Sequence, residues 1–118
     1  AMVAATAARG LGYLGVCDHS QSLQVANGLT PERLAAQRRE IDAVNARGGP
    51  VRVFAGSEVD ILADGSLDFP DSVLAGLDLV VASVHQGFAM SVDEATARVV
   101  RAVSHPSVDV LGHPTARL

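Results

Sequence analysis

Short apolar runs alternate along the chain with segments whose apolar residues recur every three or four positions. Runs of about four to eight apolar residues are typical of buried strands, and the longer spacing is typical of helices packed on one side. The pattern predicts strands at 13–17, 51–55 (running on into 56–60), 79–84 and 108–111. It predicts helices at 2–9, 31–47, 70–75 and 92–104. Nearly continuous apolar strands separated by helices indicate an α/β fold with a parallel sheet covered on at least one face.

Local signals place the ends of several elements. Thr30 followed by Pro31 is typical of the start of a helix. Ser91 and Glu94 form the S-x-x-E pattern of a capping box at the start of the last helix. The dipeptide 64–65, Asp-Gly, signals a tight turn. The apolar faces predicted for the second and last helices consist of Leu34, Ile41 and Val44, and of Val92, Ala95, Val99 and Val103.

The chain is short for a complete barrel. Its four strand–helix repeats amount to roughly half of a (β/α)8 barrel, which typically needs about 250 residues, whereas this chain has 118. It opens inside a predicted helix and stops just after a predicted strand, so we expect residues 1–118 to be part of a domain truncated at both ends. The open sheet edges of such a fragment predict self-association.

Composition narrows the function classes. Hydrophobic residues make up 48% of the chain, which is enough for a packed core. No apolar run approaches the ~20 residues of a membrane span, and no secretory signal opens the chain. Cys17 is the only cysteine. We therefore expect a soluble cytoplasmic protein without a membrane partner. The net charge of −4, with nine arginines and no lysine, disfavours DNA binding through phosphate neutralisation alone. A metal site or a neighbouring domain would have to supply the positive field.

The informative polar residues lie at the ends of the predicted strands: Asp18, His19, Glu58, His85 and His113. In parallel α/β folds the carboxyl ends of the strands meet at one rim, where active sites form. Imidazole and carboxylate ligands together suit Zn²⁺, Mn²⁺ or Fe²⁺. A carboxylate such as Glu58 can bridge two ions, and paired ions promote phosphoryl displacement. The spacing therefore predicts a metal-dependent hydrolase.

Several other polar residues have a structural interpretation, and for three of them a functional interpretation stands beside it. Asp18 either caps the following turn or acts catalytically beside the next residue, a histidine. Asp60 shares a strand face with the strand-end glutamate and is expected to hydrogen-bond a loop. Cys17 either packs in its strand or supplies a thiolate ligand, and Arg117 either binds a phosphate oxygen or forms a surface salt bridge. His105 precedes a proline at a helix end, where a capping role is expected.

The ordered motifs resemble those of the PHP (polymerase and histidinol phosphatase) superfamily: YLGVCDHS at 13–20, GSEVDIL at 56–62, ASVH at 82–85 and LGHPT at 111–115. The segments SLQVANGL at 22–29 and DGSLD at 64–68 are similar to the branch attached to bacterial and archaeal X-family DNA polymerases. The resemblance runs across nearly the whole chain. The order and spacing of the motifs are more specific than any one motif.

This resemblance implies a distorted (β/α)7 barrel, of which the chain forms about half, with up to three bound ions that are commonly zinc, manganese or iron. At the matching positions His19, Glu58, His85 and His113 would be metal ligands, with the glutamate bridging. The resemblance also implies phosphoester hydrolysis, in this branch a Mn²⁺-stimulated 3′-to-5′ exonuclease with 3′-end processing in DNA repair. DNA would be the substrate, and a polymerase domain would lie in the same polypeptide. Arg117 would help to stabilise the transition-state charge.

Two departures from the family pattern bear on activity. The His-x-His pair of the family's first strand and the Asp-x-His pair of its last strand are absent from this chain. We therefore expect the chain alone to bind metal weakly, and we expect activity of the complete protein. Cys17 stands where the family usually has threonine. The alternatives are a phosphatase acting on a small ester of the histidinol phosphate kind, and a metal-free PHP domain that supports a polymerase.

Overall fold

The structure is a computed structural model and describes residues 1–115. Its strands are β1 (Tyr13–His19), β2 (Arg52–Asp60), β3 (Leu79–Ser83) and β4 (Val110–Leu111). Its α-helices are α1 (Met2–Ala8), α2 (Pro31–Ala46), α3 (Asp71–Leu74) and α4 (Val92–Val103), and a 3₁₀-helix at Gln24–Ala26 lies between β1 and α2. Among the helices of this part of the chain, none is both long and apolar enough to cross a membrane.

The four strands form one parallel sheet in the order β1-β2-β3-β4. A helix lies between each pair of successive strands: α2 between β1 and β2, α3 between β2 and β3, and α4 between β3 and β4. Parallel neighbours require such crossover connections because the chain must return to the same end of the sheet. The predicted α/β class and parallel sheet are confirmed.

The first two strands extend past their apolar runs. β1 continues to His19 and β2 continues to Asp60, and their pairing sets His19 opposite Glu58. Gly56 lies in the middle of β2, where a β-carbon would come within 2.8 Å of the carbonyl oxygen of Leu79. The bare backbone at this position allows β2 and β3 to approach closely. The polar residues at the ends of β1 and β2 are therefore paired residues of the sheet.

Helices cover one face of the sheet. Alternate strand residues, among them Val53, Val59 and Val80, are buried on this face. Leu34 and Ile41 of α2 pack against them, as their spacing predicts. The buried clusters are Leu34, Val59, Phe69, Leu74 and Val80; Ile41, Val53 and Ala55; and Ile61, Ala82 and Ala102.

The opposite face of the sheet carries exposed apolar side chains. Tyr13 is 71% exposed and contacts Phe54, with ring centroids 6.3 Å apart. Val110 of β4 is also exposed on this face. Because strand residues alternate between faces, His19 at the end of β1 lies on the same face as Tyr13. We call this the open face.

Caps and turns lie where the sequence predicts them. The hydroxyl of Thr30 accepts a backbone hydrogen bond at the start of α2. Ser91 and Glu94 form the reciprocal hydrogen bonds of a capping box at the start of α4. Asp64 accepts two hydrogen bonds from the residue two positions later, and Gly65 has a φ of 83°. These three predictions are confirmed.

The apolar face predicted for α4 is not the face that packs against the sheet. Val92 is 82% exposed, and Ala95 and Val103 are also exposed. The buried residues of α4 are Arg98 and Ala102. An arginine can occupy a buried position when its N–H groups find acceptors there, and its apolar stem then packs as a hydrophobic side chain would.

Leu74 and Val92 provide a matched test of this packing. Leu74 is 1% exposed, and Leu74→Ala is expected to lower the free energy of unfolding by about 2–5 kcal/mol because it leaves a cavity. Val92→Ala removes an exposed side chain and is expected to change that free energy by less than about 0.5 kcal/mol. Urea denaturation measures both, and similar losses in the two variants would show that the core is placed wrongly.

Candidate metal centre

Four side chains from successive strand ends meet at one rim of the sheet. His19 is the last residue of β1, Glu58 lies two residues before the end of β2, and His85 and His113 each follow their strand by two residues. One ligand atom from each of His19, Glu58 and His85 lies within 4.8 Å of the other two. His113 joins them by contacts with Glu58 and His85. The structure thus brings together the four residues that the sequence predicts as metal ligands.

Three of the candidate ligand atoms form a nearly equilateral triangle. Nε2 of His85 and Nε2 of His113 each lie 3.1 Å from Oε1 of Glu58, and the two nitrogens lie 3.2 Å apart. A tetrahedral ion with ligand bonds of about 2.1 Å separates its ligand atoms by about 3.4 Å. The triangle therefore has nearly the edge length of a ligand set around one ion. Imidazole and carboxylate donors also suit zinc, manganese and iron.

His19 has a buried nitrogen that lacks a hydrogen-bond partner within residues 1–115. This atom is Nδ1, and the ring stands edge-on to that of His85 with centroids 4.9 Å apart. A buried polar atom left without a partner costs about 1–3 kcal/mol, so such atoms are uncommon. An ion or a group bound beside the ring would give this nitrogen a partner, which fits a ligand site.

Asp60 holds His85 from the side away from the cluster. The residue is 3% exposed, and its Oδ1 lies 2.5 Å from Nδ1 of His85. Its Oδ2 accepts a hydrogen bond of 2.7 Å from the hydroxyl of Ser22. A carboxylate at Nδ1 favours the tautomer with the proton on that nitrogen, which leaves Nε2 free to donate its lone pair. Metal-ligating histidines almost always have such a partner.

The sequence pattern missed the contact between Asp60 and His85. The pattern assigns Asp60 a loop hydrogen bond, and the bond to Ser22 is of that kind. The sequence contains one signal for the contact with His85: Asp60 lies two residues after Glu58, so the two side chains lie on the same strand face. The sequence does not show that β3 pairs Asp60 with Ser83, two residues before His85. That pairing brings the carboxylate to the imidazole.

Asp18 does not join the cluster. It precedes His19 in β1, so its side chain points to the opposite face of the sheet. There its carboxylate accepts a hydrogen bond from Nε2 of Gln37 in α2, and the residue is exposed. Adjacent positions in a strand cannot both face the site. The catalytic role of Asp18 stays a prediction, and the geometry gives it no support.

His105 also lies apart from the four clustered side chains. Nε2 of His105 lies 3.3 Å from Oδ1 of Asp71, and Nδ1 of His105 accepts a hydrogen bond from the amide of Ser107. His105 thus makes contacts at the end of α4 and not at the rim. Arg117 lies outside the described residues, so its phosphate-binding role stays a prediction.

The local charges favour a carboxylate and disfavour a thiolate at this rim. Burial acts to raise the pKa of Glu58, but the Ser83 hydroxyl and the three imidazoles bring that pKa below its ordinary value. The glutamate is therefore ionised at neutral pH, as a metal ligand must be. Burial raises the pKa of the Cys17 thiol, and the carboxylates of Glu58 and Asp18 raise it further. A protonated thiol is a poor ligand, which favours the packing interpretation of Cys17.

The chain is similar to known proteins of two kinds. It is 46% identical over 117 residues to the DNA polymerase/3′-5′ exonuclease PolX of Bacillus subtilis (strain 168), a match that covers 99% of the chain and 20% of that protein. It is 30% identical over 117 residues to a probable phosphatase of Caldicellulosiruptor saccharolyticus, covering 96% of the chain and 46% of that protein. A probable phosphatase of Thermoanaerobacter sp. (strain X514) is 38% identical over 68 residues, or 54% of the chain and 28% of that protein. No protein-family model matches the chain.

The chain therefore spans about a fifth of the polymerase and less than half of either phosphatase. The similarity to the polymerase nevertheless extends over nearly all of the chain, including every strand end at the candidate site.

Asp60 and Asp18 are carboxylates on opposite faces of the sheet, which makes them a matched pair. Asp60→Asn is expected to weaken divalent-metal binding by the complete protein by about 10- to 100-fold, because a neutral amide holds the His85 tautomer less firmly. Asp18→Asn is expected to leave the affinity unchanged. Isothermal titration with Mn²⁺ measures both. Equal losses in the two variants would count against the assignment of Asp60.

Proposed function

Because these relatives confirm the resemblance to the PHP superfamily and its X-family polymerase branch, we propose that the chain is part of a phosphoesterase domain that uses divalent metal ions. The observation that carries the proposal is the cluster of three imidazoles and one carboxylate at the strand ends. The proposed ligands are His19, Glu58, His85 and His113. Zinc, manganese or iron suits them, up to three ions in the complete domain, with Glu58 as the bridging ligand.

Several residues in and around the cluster have a defined task in this proposal. A divalent ion held by His19, Glu58, His85 and His113 would supply Lewis acidity for phosphoester hydrolysis. Asp60 keeps the proton of His85 on Nδ1, so that Nε2 offers its lone pair to the site. Glu58 stays ionised and brings the negative charge that a divalent cation needs. Arg117 is proposed to contact a phosphate oxygen.

The proposed activity of the complete protein is 3′-to-5′ degradation of DNA and processing of 3′ ends in DNA repair. It is supported by the similarity of nearly the whole chain to a protein named as both DNA polymerase and 3′-5′ exonuclease. A polymerase domain in the same polypeptide belongs to this proposal, as does a cytoplasmic location. The net charge of −4 gives the chain little attraction for DNA phosphates. The ions and the polymerase domain would provide that attraction.

We also propose that residues 1–118 form about half of a distorted (β/α)7 barrel. The parallel sheet has helices on one face, and its open face carries the site. In a barrel, the face without helices lines the interior. The exposed Tyr13 and Phe54 would be buried there. The matched polymerase is long enough to contain the remaining strands, since the chain covers only 20% of it.

A phosphatase for small esters is the second candidate function. The observation in its favour is the similarity to probable phosphatases, which reaches 38% identity over 68 residues. The same cluster of side chains would serve both activities, because each requires attack on a phosphorus atom. Two observations disfavour a metal-free supporting domain. The triangle of candidate ligand atoms has nearly the edge length expected around one ion, and the buried carboxylate of Asp60 contacts His85.

The proposed function predicts Mn²⁺-dependent release of nucleotides from the 3′ end of a labelled DNA strand by the complete protein. His85→Ala is expected to lower this release by more than about 100-fold, because it removes a ligand and not only a supporting partner. His105→Ala is the matched control and is expected to retain full activity, since His105 lies outside the cluster.

Each outcome of this assay has a distinct meaning. Release that persists in His85→Ala would place the chemistry elsewhere. A protein that binds Mn²⁺ and cleaves p-nitrophenyl phosphate but leaves DNA intact would favour the phosphatase function. A protein with neither metal binding nor hydrolysis would favour the supporting domain.

A further inference from the structure

Arg98 of α4 is buried, at 6% exposed, and its guanidinium group contacts backbone carbonyl groups. Nε donates to the carbonyl of Leu62 at 2.8 Å, and Nη2 donates to that of Ile61. Nη1 donates to the carbonyls of Gln86 at 2.9 Å and Gly87 at 3.2 Å. Burying a guanidinium is costly unless its N–H groups are matched in this way. A packing role alone would be served by an apolar residue, so the position calls for another explanation.

The four carbonyls belong to the two segments that carry the Asp60–His85 pair. Residues 61–62 directly follow Asp60 at the end of β2, and residues 86–87 directly follow His85. One planar group therefore fixes the backbone on both sides of the 2.5 Å contact between this carboxylate and this imidazole. A shift of either segment would change that contact.

We propose that Arg98 is a positioning residue for the candidate metal centre. It ties the segment after β2 to the segment after β3, and so holds His85 against Asp60 with Nε2 aimed at the cluster. The significance of this role for catalysis rests on the proposed function. The effect on His85 itself does not require a bound ion.

The planar fork of the guanidinium is what the two segments require. Its N–H groups diverge in one plane and reach both segments at once, whereas the ammonium of a lysine is a single donor point on a flexible stem. The loop also passes close to the fork, because a β-carbon at Gly87 would lie 3.4 Å from Nη1 of Arg98. Arg101 on the same helix differs, since it is exposed and donates to the carbonyl of Asp64.

The test reads the tautomer of His85 by nitrogen-15 NMR in the metal-free complete protein, with signals assigned by their loss in His85→Ala. The unsubstituted protein is expected to carry the proton on Nδ1. Arg98→Lys is expected to populate the Nε2–H tautomer and to weaken Mn²⁺ binding about tenfold, the low end for loss of an outer-shell partner. Arg101→Lys is the matched control and is expected to change neither quantity.

An Arg98→Lys protein that keeps the Nδ1–H tautomer and the original Mn²⁺ affinity overturns the proposal, even if its stability falls. If that variant does not fold, Gly87→Ala keeps the arginine but disturbs the carbonyl that it holds, at a φ of 67°. The same tautomer change is expected there, and its absence overturns the proposal. A tautomer change in a protein that binds no Mn²⁺ supports the positioning role and defeats the proposed function instead.

Discussion

The parallel register of the sheet is the constraint on which the candidate site depends. It sets His19 directly opposite Glu58 and sets the end of β2 beside the residues that lead to His85. A slip of one residue would turn each side chain of the moved strand to the other face, and His19 would then point at α2. The register is maintained by burial of the helix-covered face and by the close approach of β2 and β3 at Gly56.

Much of the fold and the grouping of the candidate ligands could be predicted from local patterns. Apolar runs and helical spacing gave the four strands and the parallel sheet, and Thr30 and Ser91 marked the helix starts. The approach of the histidines to Glu58 follows from topology alone, because parallel strands end at one rim. These features need only information that lies close in sequence or that holds for parallel sheets in general.

The contacts between strands could not be predicted in the same way. The predicted strand ends at residue 17, whereas β1 continues to His19. The alternation of side chains between the two faces therefore could not be applied to Asp18 and His19. The bond between Asp60 and His85 joins a strand to a loop 25 positions away. The apolar residues of α4 predict a packing face that differs from the observed one. The observed face buries Arg98, and this burial depends on carbonyl groups from two distant loops.

Three imidazoles and the Glu58 carboxylate converge at one rim of the sheet, where a bound divalent ion would balance the carboxylate charge and give Nδ1 of His19 a partner. X-ray absorption at the zinc edge of the Zn²⁺-loaded complete protein tests this claim most directly. The cluster predicts a first shell of nitrogen and oxygen at about 2.0–2.1 Å, with imidazole scattering that weakens in His85→Ala. A sulfur ligand at about 2.3 Å, or a spectrum that is the same in His85→Ala, would contradict the proposed metal centre.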